Sequence, residues 1–135
     1  MDTNVLLSGL MFRGNESRLL QLALDGSIRL LLAEVVLGEA MSVLTARFPK
    51  HVEVLDRFLN VVDFERVPYP QEDALRAAAG LLRDPNDAPI LASALLASPD
   101  AALTGDKDLL TDAVRQIAPF QRCADYLHER RTSRR

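Results

Sequence analysis

Carboxylates at several places along the chain have the residue types and spacing that suit cation binding. They are Asp2 near the start, Glu39 in an apolar helical stretch, Asp84 and Asp87 in a turn, and Asp106 and Asp108 in a loop. Carboxylates that share one pocket repel each other, so some must be protonated unless a cation is present. Hard divalent cations such as Mg²⁺ and Mn²⁺ prefer these oxygen ligands and lower the pKa of bound water. The set therefore predicts a divalent-cation site.

Each acid also has a purely structural explanation when it is taken singly. Asp87 is well placed as the N-cap of the helix that follows it. Asp106 and Asp108 fit ordinary loop positions, and Glu39 fits a solvent-facing position on its helix. Asp2 fits a mobile terminus. Only the combination of the positions favours a common site.

Helical and strand-like segments alternate, which predicts an α/β fold with a mostly parallel sheet. Helices are expected over residues 5–10, 16–25, 33–48, 52–60, 71–82, 88–97 and 122–130, and strands over residues 28–32, 61–67, 101–104 and 117–120. In open parallel sheets, ligands bind outside the carboxyl ends of the strands. Asp87 opens one predicted helix and Asp106 follows one predicted strand, so both acids fit such a site.

Length and composition indicate one globular domain. The chain has 135 residues, 48% of them hydrophobic, and we expect residues 1–129 to form the domain and residues 130–135 a basic C-terminal tail. The single cysteine, Cys123, excludes an internal disulfide and a cysteine-based zinc site. The apolar runs are too short to span a membrane, and no secretory signal is visible. These features together favour a cytoplasmic protein.

The formal net charge of −3 bears on any phosphate-containing substrate. A protein that holds nucleic acid mainly by its own cations is usually basic, so this chain needs a bound metal or a local basic patch. The final segment Arg130-Arg-Thr-Ser-Arg-Arg135 contains four arginines. It fits either a solvated tail or an electrostatic arm for RNA or a partner protein.

Four segments of the chain carry a family resemblance. They are Asp2-Thr-Asn4 with the following Val-Leu-Leu-Ser-Gly, Glu39 in the second main helix, Asp84-Pro-Asn-Asp87 with Ile90-Leu-Ala-Ser-Ala94, and Leu103-Thr-Gly-Asp-Lys-Asp-Leu-Leu110. In this order and spacing the chain resembles the PIN-domain nucleases, particularly the bacterial group that includes the toxins of toxin–antitoxin pairs. The resemblance covers nearly the whole chain.

The resemblance implies a fold, a reaction and a set of site residues. The fold is a three-layer α/β/α sandwich with a central, mostly parallel sheet, and the reaction is Mg²⁺- or Mn²⁺-dependent hydrolysis of RNA phosphodiesters. The implied acidic quartet is Asp2, Glu39, Asp87 and Asp106, with Asp108 as an auxiliary metal ligand and with Asn4 and Thr104 as polar supports. Glu39 would share in metal binding or orient the water. The implied partners are an RNA substrate and a cognate antitoxin, and a homodimer is one expected assembly.

The chain departs from the family pattern at its start. Family members carry a short apolar strand before the first aspartate, whereas only Met1 precedes Asp2 here. The first strand is therefore expected to be truncated, either by a late start-site assignment or in the product itself. Loss of a central parallel strand would expose inner strand edges and open the core. We expect this chain to be less stable than an extended form.

Two further functions compete with the metal-dependent ribonuclease. The first is a catalytically weak or inactive PIN-like module that binds nucleic acid or protein. The second is an aspartyl-phosphate phosphatase, which usually needs a second aspartate two residues after the first, where this chain has Asn4. A hydrolase built on His51, His128 or Cys123 is disfavoured, because these residues lie outside the four segments.

Overall fold

The computed structural model describes residues 1–133, in which helices and short strands alternate. The helices are α1 (Thr3–Met11), α2 (Asn15–Leu24), α3 (Glu34–Arg47), α4 (Val52–Val61), α5 (Glu72–Ala79), α6 (Ala88–Ala97), α7 (Asp112–Arg115) and α8 (Cys123–Ser133). The strands are β1 (Leu30–Ala33), β2 (Phe64–Val67), β3 (Ala102–Leu103) and β4 (Phe120–Gln121). Two single 3-10 turns, Pro49–His51 and Pro85–Asp87, precede α4 and α6.

The strands pair in parallel, which confirms the predicted α/β class. β1 pairs with β2 from Leu30 opposite Phe64 onward, and β3 pairs with β4 from Ala102 opposite Phe120 onward. Parallel neighbours require long crossover connections, and helices supply them here. Within residues 1–133 no ladder joins β1 to β3, so the expected central sheet is present as two separate pairs.

Helices cover both faces of β3. Successive side chains of a strand point to opposite faces, so Ala102 and Leu103 enter different apolar clusters. Ala102 packs in a cluster with Leu91 of α6, while Leu103 packs in a cluster with Leu19 of α2 and Leu127 of α8. This arrangement confirms the three-layer α/β/α architecture.

The main core lies where α1, α2, α3 and α4 meet β1. Leu6, Leu20, Leu32, Leu44 and Leu55 are all buried in it. Each fully buried leucine side chain contributes roughly 1.5–3 kcal/mol. The core holds α1, which begins directly after Asp2, against α3, which carries Glu39. No helix within residues 1–133 has the length and apolarity needed to cross a membrane.

Several predicted element boundaries were wrong. The strand predicted from residue 61 begins at Phe64, because α4 continues to Val61 and the buried Val62 joins the same core as Leu55 and Phe58. The run of β-branched residues favoured a strand, but the helical spacing of those core contacts prevailed. The helix predicted over residues 71–82 ends at Ala79.

The C-terminal region also differs from its predicted boundaries. Helix α7 was not predicted; its N-cap is Thr111, whose hydroxyl accepts a hydrogen bond from the backbone N–H of Val114. Helix α8 continues three residues beyond the predicted end at Arg130, to Ser133. Part of the predicted basic tail is therefore helical, while Arg134 and Arg135 lie outside the described residues.

Candidate metal centre

The turn before α6 brings two acids together. The carboxylate of Asp84 accepts a hydrogen bond from the backbone N–H of Asn86 at 3.0 Å. The carbonyl oxygen of Asp84 accepts one from the N–H of Asp87 at 3.1 Å. Pro85 restricts the backbone of the same turn, since its ring fixes φ. The sequence Asp-Pro-Asn-Asp thus folds back on itself and directs the side chains of Asp84 and Asp87 to one place.

The loop after β3 is held by side-chain hydrogen bonds to its own backbone. The hydroxyl of Thr104, which is almost fully buried, accepts a hydrogen bond from the N–H of Asp106 at 3.0 Å. The carboxylate of Asp106 accepts one from the N–H of Asp108 at 2.9 Å. Short polar side chains commonly stabilise turns in this way. The loop therefore presents two carboxylates from positions two residues apart.

The turn and the loop form one acidic cluster. Asp84, Asp87 and Asp108 each place a carboxylate oxygen within 4.8 Å of the other two, and all three side chains are half-buried. Burial, followed by the charge of Asp106 and a hydrogen bond to it, raises the pKa of Asp87 to about 6, and the charges of Asp84 and Asp108 act in the same direction. The cluster is therefore electrostatically strained when all its members are ionised.

The surroundings of the Asp87 carboxylate show whether these residues could bind a metal ion. Its Oδ2 atom is buried, and no hydrogen-bond donor within residues 1–133 reaches it. A buried polar atom without a partner is costly, and a carboxylate oxygen that faces other carboxylates is more so. A divalent cation would satisfy this oxygen and neutralise its neighbours. The donor set consists of carboxylate oxygens, so the residues fit a hard divalent cation.

The side chain of Asp87 does not cap α6, which was the purely structural role considered for it. It occupies the N-cap position of α6, but its side chain accepts no cap hydrogen bond and its backbone is helical. Proline at the start of α6 lacks one of the N–H groups that a cap would satisfy. The carboxylate of Asp87 is thus free to face the other acids.

Asp2 is a structural neighbour of this cluster. One oxygen of its buried carboxylate accepts a hydrogen bond from the N–H of Val5 at 2.9 Å and so caps α1. The other accepts a short hydrogen bond from the hydroxyl of Thr104. The same hydroxyl accepts from the N–H of Asp106, so Thr104 connects Asp2 to the acidic loop. Burial lowers the pKa of the α-amino group of Met1, although the charge of Asp2 opposes that shift.

Glu39 and Asn4 lie outside the group of three carboxylates formed by Asp84, Asp87 and Asp108. The exposed carboxylate of Glu39 accepts a hydrogen bond from the hydroxyl of Thr3 at 2.7 Å. Thr3 is buried at the first position of α1 and therefore ties α3 to the helix that Asp2 caps. Asn4 is exposed, and no hydrogen bond within residues 1–133 links it to the acids.

The structure assigns contacts to Asp84 and Thr3 that the sequence analysis did not predict. Asp84 was considered the weaker acid of its turn, yet it lies in the closest group of three carboxylates with Asp87 and Asp108. The Asp-Pro-Asn-Asp spacing was a usable signal, because acids three residues apart converge in a tight turn. Thr3 was not considered at all, and nothing in its local sequence indicates a contact with Glu39, 36 residues away.

Two comparisons with known proteins were used to identify the family of this protein. A comparison with curated proteins gave no significant match. The family model described as PIN domain matches residues 1–108, a range that includes all the acids of the cluster, Asp2 and Glu39. PIN domains are generally nucleases, and the acidic cluster offers ligands that could bind a metal. The protein belongs to the PIN-domain family.

Proposed function

We propose that this protein is an endoribonuclease that depends on Mg²⁺ or Mn²⁺. The supporting observation is the buried Oδ2 atom of Asp87, which has no donor within residues 1–133 and is surrounded by other carboxylates. In the absence of a cation, a proton is the simplest means of relieving the repulsion. A hydrated divalent cation relieves it at neutral pH and leaves positions open for a phosphate oxygen.

The proposed ligands are the carboxylates that converge on this atom. Asp87 would hold the cation together with Asp84 and Asp108, which are the nearest acids, and with Asp106 beside them. When bound, the cation supplies Lewis-acid stabilisation and lowers the pKa of a coordinated water. Asp87 must give up its proton for this role, so its ionisation controls whether the site is ready to bind.

Asp2, Thr104, Glu39 and Asn4 remain in the proposed site with positioning or edge roles. Asp2 fixes the Thr104 hydroxyl, which in turn holds the backbone of Asp106. Glu39 presents an exposed carboxylate next to α1 and would orient water or share in cation binding. Asn4, exposed on the first turn of α1, offers amide groups to a bound substrate.

The proposed substrate is an RNA strand approached through its phosphates. Arg83 immediately precedes the acidic turn, and Lys107 lies between Asp106 and Asp108; both cations are exposed. Lysine and arginine contacts to phosphate position a nucleic acid without reading its sequence. With an overall charge of −3, the chain depends on such local cations and on the metal to attract a polyanion.

The proposal extends to a biological role as the toxin of a toxin–antitoxin pair, in the cytoplasm and with a cognate antitoxin as partner. A cytoplasmic ribonuclease with a broad target would arrest growth when it is expressed without its inhibitor. Induced expression in a bacterial host should therefore slow growth, and Asp87→Ala should abolish the effect. Equal growth with both chains would reject the toxin role. Mass measurement in solution tests the accompanying homodimer.

A cleavage assay tests the enzymatic proposal. Purified full-length protein is incubated with end-labelled single-stranded RNA and with DNA of matched sequence, in Mg²⁺, Mn²⁺ or EDTA. We expect RNA cleavage with either cation, no cleavage in EDTA, and a loss of at least about 100-fold in Asp87→Ala. Asp73→Ala, at an exposed position on α5, is the matched control and should retain full activity.

The outcomes of this assay separate the alternatives. Cleavage that survives in EDTA or in Asp87→Ala would overturn the proposed mechanism, and cleavage of DNA alone would overturn the substrate. The competing function is a PIN-like binding module, which is favoured by one observation: both oxygens of Asp2 already accept hydrogen bonds within the fold. RNA binding without cleavage under any cation condition would establish that alternative.

A further inference from the structure

The turn between α3 and α4 carries cations that have no acidic partner. Arg47 ends α3, and Lys50 lies in the 3-10 turn that follows; both side chains are exposed. The chain contains no acidic residue between Glu39 and Glu53, and no carboxylate within residues 1–133 forms an ion pair with Arg47 or Lys50. In a protein whose formal net charge is −3, these two cations create a local positive surface.

An aromatic ring lies between these cations in the chain. The side chain is Phe48, which is 36% exposed, and the guanidinium carbon of Arg47 lies 5.7 Å from the centroid of its ring. The imidazole of His51 meets the same ring at a right angle, with the centroids 6.3 Å apart. We call Arg47, Phe48, Lys50 and His51 the basic-aromatic patch. It combines positive charge with planar groups that solvent still reaches.

Backbone hydrogen bonds hold the basic-aromatic patch in one arrangement. The N–H of Phe48 donates to the carbonyl oxygen of Leu44 at 2.8 Å, and the N–H of His51 donates to the carbonyl oxygen of Phe48 at 2.9 Å. Pro49 fixes φ at the start of the turn. A surface that is already ordered loses less conformational entropy when it binds a ligand. The ring and the cations are therefore arranged before any ligand arrives.

Helix α3 connects the basic-aromatic patch to the proposed nuclease site. An open groove along this helix is lined by Gly38, Glu39 and Val43, and by Tyr69 from the segment after β2. Arg47 lies one turn beyond Val43 on the same side of the helix. Glu39 and Arg47 are separated by about 12 Å along the helix axis, at a rise of about 1.5 Å per residue. A polymer strand that reaches Glu39 can therefore continue along the groove to the patch.

A single-stranded nucleic acid fits this chemistry better than an acidic peptide does. Proteins that bind single strands combine cations, which contact the phosphates, with aromatic side chains on which the bases stack. Bases also stack on the planar guanidinium group of arginine. Phe48 and Arg47 supply both kinds of planar surface side by side. An acidic peptide would pair with the cations, but it carries no base to stack on them.

We propose that the basic-aromatic patch binds the single-stranded flank of an RNA whose scissile phosphate lies at the acidic cluster. A base of the flank stacks on the Arg47–Phe48 pair, and neighbouring phosphates contact Arg47 and Lys50. The inference rests on the proposed ribonuclease function for the identity of the polymer. It adds a contact that lies outside the acidic cluster and contributes to substrate binding rather than to the chemical step.

RNA binding in EDTA tests the patch separately from cleavage and from the cation site. Fluorescence anisotropy of a labelled single strand of about 12 nucleotides gives the Kd at several salt concentrations. Phe48→Leu removes the aromatic face but keeps an apolar side chain, whereas Phe48→Tyr keeps the ring. The double variant Arg47→Gln/Lys50→Gln removes two charges. Its matched control, Arg29→Gln/Arg76→Gln, removes two exposed charges that already have acidic partners. Thermal unfolding checks that each variant is folded.

The expected results separate stacking from charge. Phe48→Leu should weaken binding by about 10-fold, and Phe48→Tyr should bind as the unchanged chain does. Arg47→Gln/Lys50→Gln should reduce the slope of log Kd against log salt by about 1.4, since each phosphate contact to a single strand contributes about 0.7. The control double variant should leave the slope unchanged. With a divalent cation present, the patch variants should raise KM for the same RNA and leave kcat unchanged.

Several outcomes would overturn this proposal without affecting the enzymatic one. Equal Kd values for Phe48→Leu and the unchanged chain would exclude stacking at the patch, even if cation-dependent cleavage is observed. An equal loss of slope in both double variants would show a general charge effect. Displacement of the RNA by polyglutamate as readily as by unlabelled RNA would identify an acidic peptide as the occupant. Patch-dependent RNA binding without cleavage would instead overturn the ribonuclease and confirm the RNA contact.

Discussion

Asp2 and Asp87 hold the same position relative to a helix but have opposite environments. Each is the residue before the first turn, Asp2 of α1 and Asp87 of α6. Both oxygens of Asp2 accept hydrogen bonds, one from Val5 and one from Thr104. Asp87 has no donor on its buried oxygen, and carboxylates face it instead. The comparison shows that tertiary neighbours, rather than position in a helix, separate a structural aspartate from a candidate ligand.

The largest expected difference between the two aspartates is in cation binding. Asp87→Asn should weaken Mn²⁺ binding by about 100-fold, because it removes a charged ligand from the centre of the cluster. Asp73→Asn, on the exposed face of α5, should leave the affinity unchanged. Titration calorimetry or the electron paramagnetic resonance signal of free Mn²⁺ measures both. Unchanged affinity in Asp87→Asn would show that Asp87 is not the central ligand.

A smaller effect is expected when the hydrogen bond from Thr104 to Asp2 is removed, and it concerns the stability of the fold. Thr104→Val removes the hydroxyl that donates to Asp2 and accepts from the N–H of Asp106. It leaves a buried carboxylate oxygen without a donor, so the free energy of unfolding should fall by about 2 kcal/mol. Thr45→Val, at an exposed position on α3, is the matched control. Denaturant unfolding measures both proteins, and equal midpoints would contradict the proposed connecting role of Thr104.

The smallest expected effect is on the pH dependence of stability without cations. The folded-state pKa of Asp87, about 6, lies above its ordinary value of 3.8. The folded protein therefore binds this proton more tightly than the unfolded chain does, and ionisation of Asp87 destabilises the fold. That destabilisation is fully present above pH 6 and diminishes as the pH falls from about 6 toward 3.8.

Unfolding curves recorded in EDTA at several pH values between 4 and 7 check this sign. The difference in free energy of unfolding between Asp87→Asn and the unchanged chain should be larger at the upper end of the range. The substituted protein should be the more stable of the two there, because the amide carries no charge. A difference that is constant across the range would mean that neither burial nor the neighbouring acids raise the pKa of Asp87 in the folded protein. Mn²⁺ affinity should fall over the same acidic interval as protons compete for the site.

Local patterns in the sequence predicted much of the fold. The apolar helix at residues 88–97 was predicted with its observed bounds, because Asp87 and Pro89 mark its start and its interior is continuously apolar. The parallel α/β class followed from the alternation of elements. The end of α4 and the short α7 were missed, since contacts with the core and a single cap decide them. These are tertiary effects that local propensity does not contain.

The sequence predicted a set of candidate site residues but not how they are arranged in space. The sequence supplied the acids and their order, and it indicated that Asp87 and Asp106 lie at the edge of an α/β site. It ranked Asp84 below Asp87, whereas the fold places both in one group with Asp108. Spacing along the chain cannot rank acids in a turn, because their distances to a loop about 20 residues away depend on how the two segments pack.

Asp2 and its surroundings show where sequence information ends. The sequence by itself determined that an aspartate precedes the first predicted apolar helix. Only the tertiary structure decided that Thr104, 102 residues away, donates to its carboxylate. Only the tertiary structure brought the backbone N–H of Asp2 within 2.9 Å of the carbonyl oxygen of Leu103. Hydrogen-bond satisfaction depends on which groups are brought together in space, and that is a property of the folded chain rather than of any local pattern.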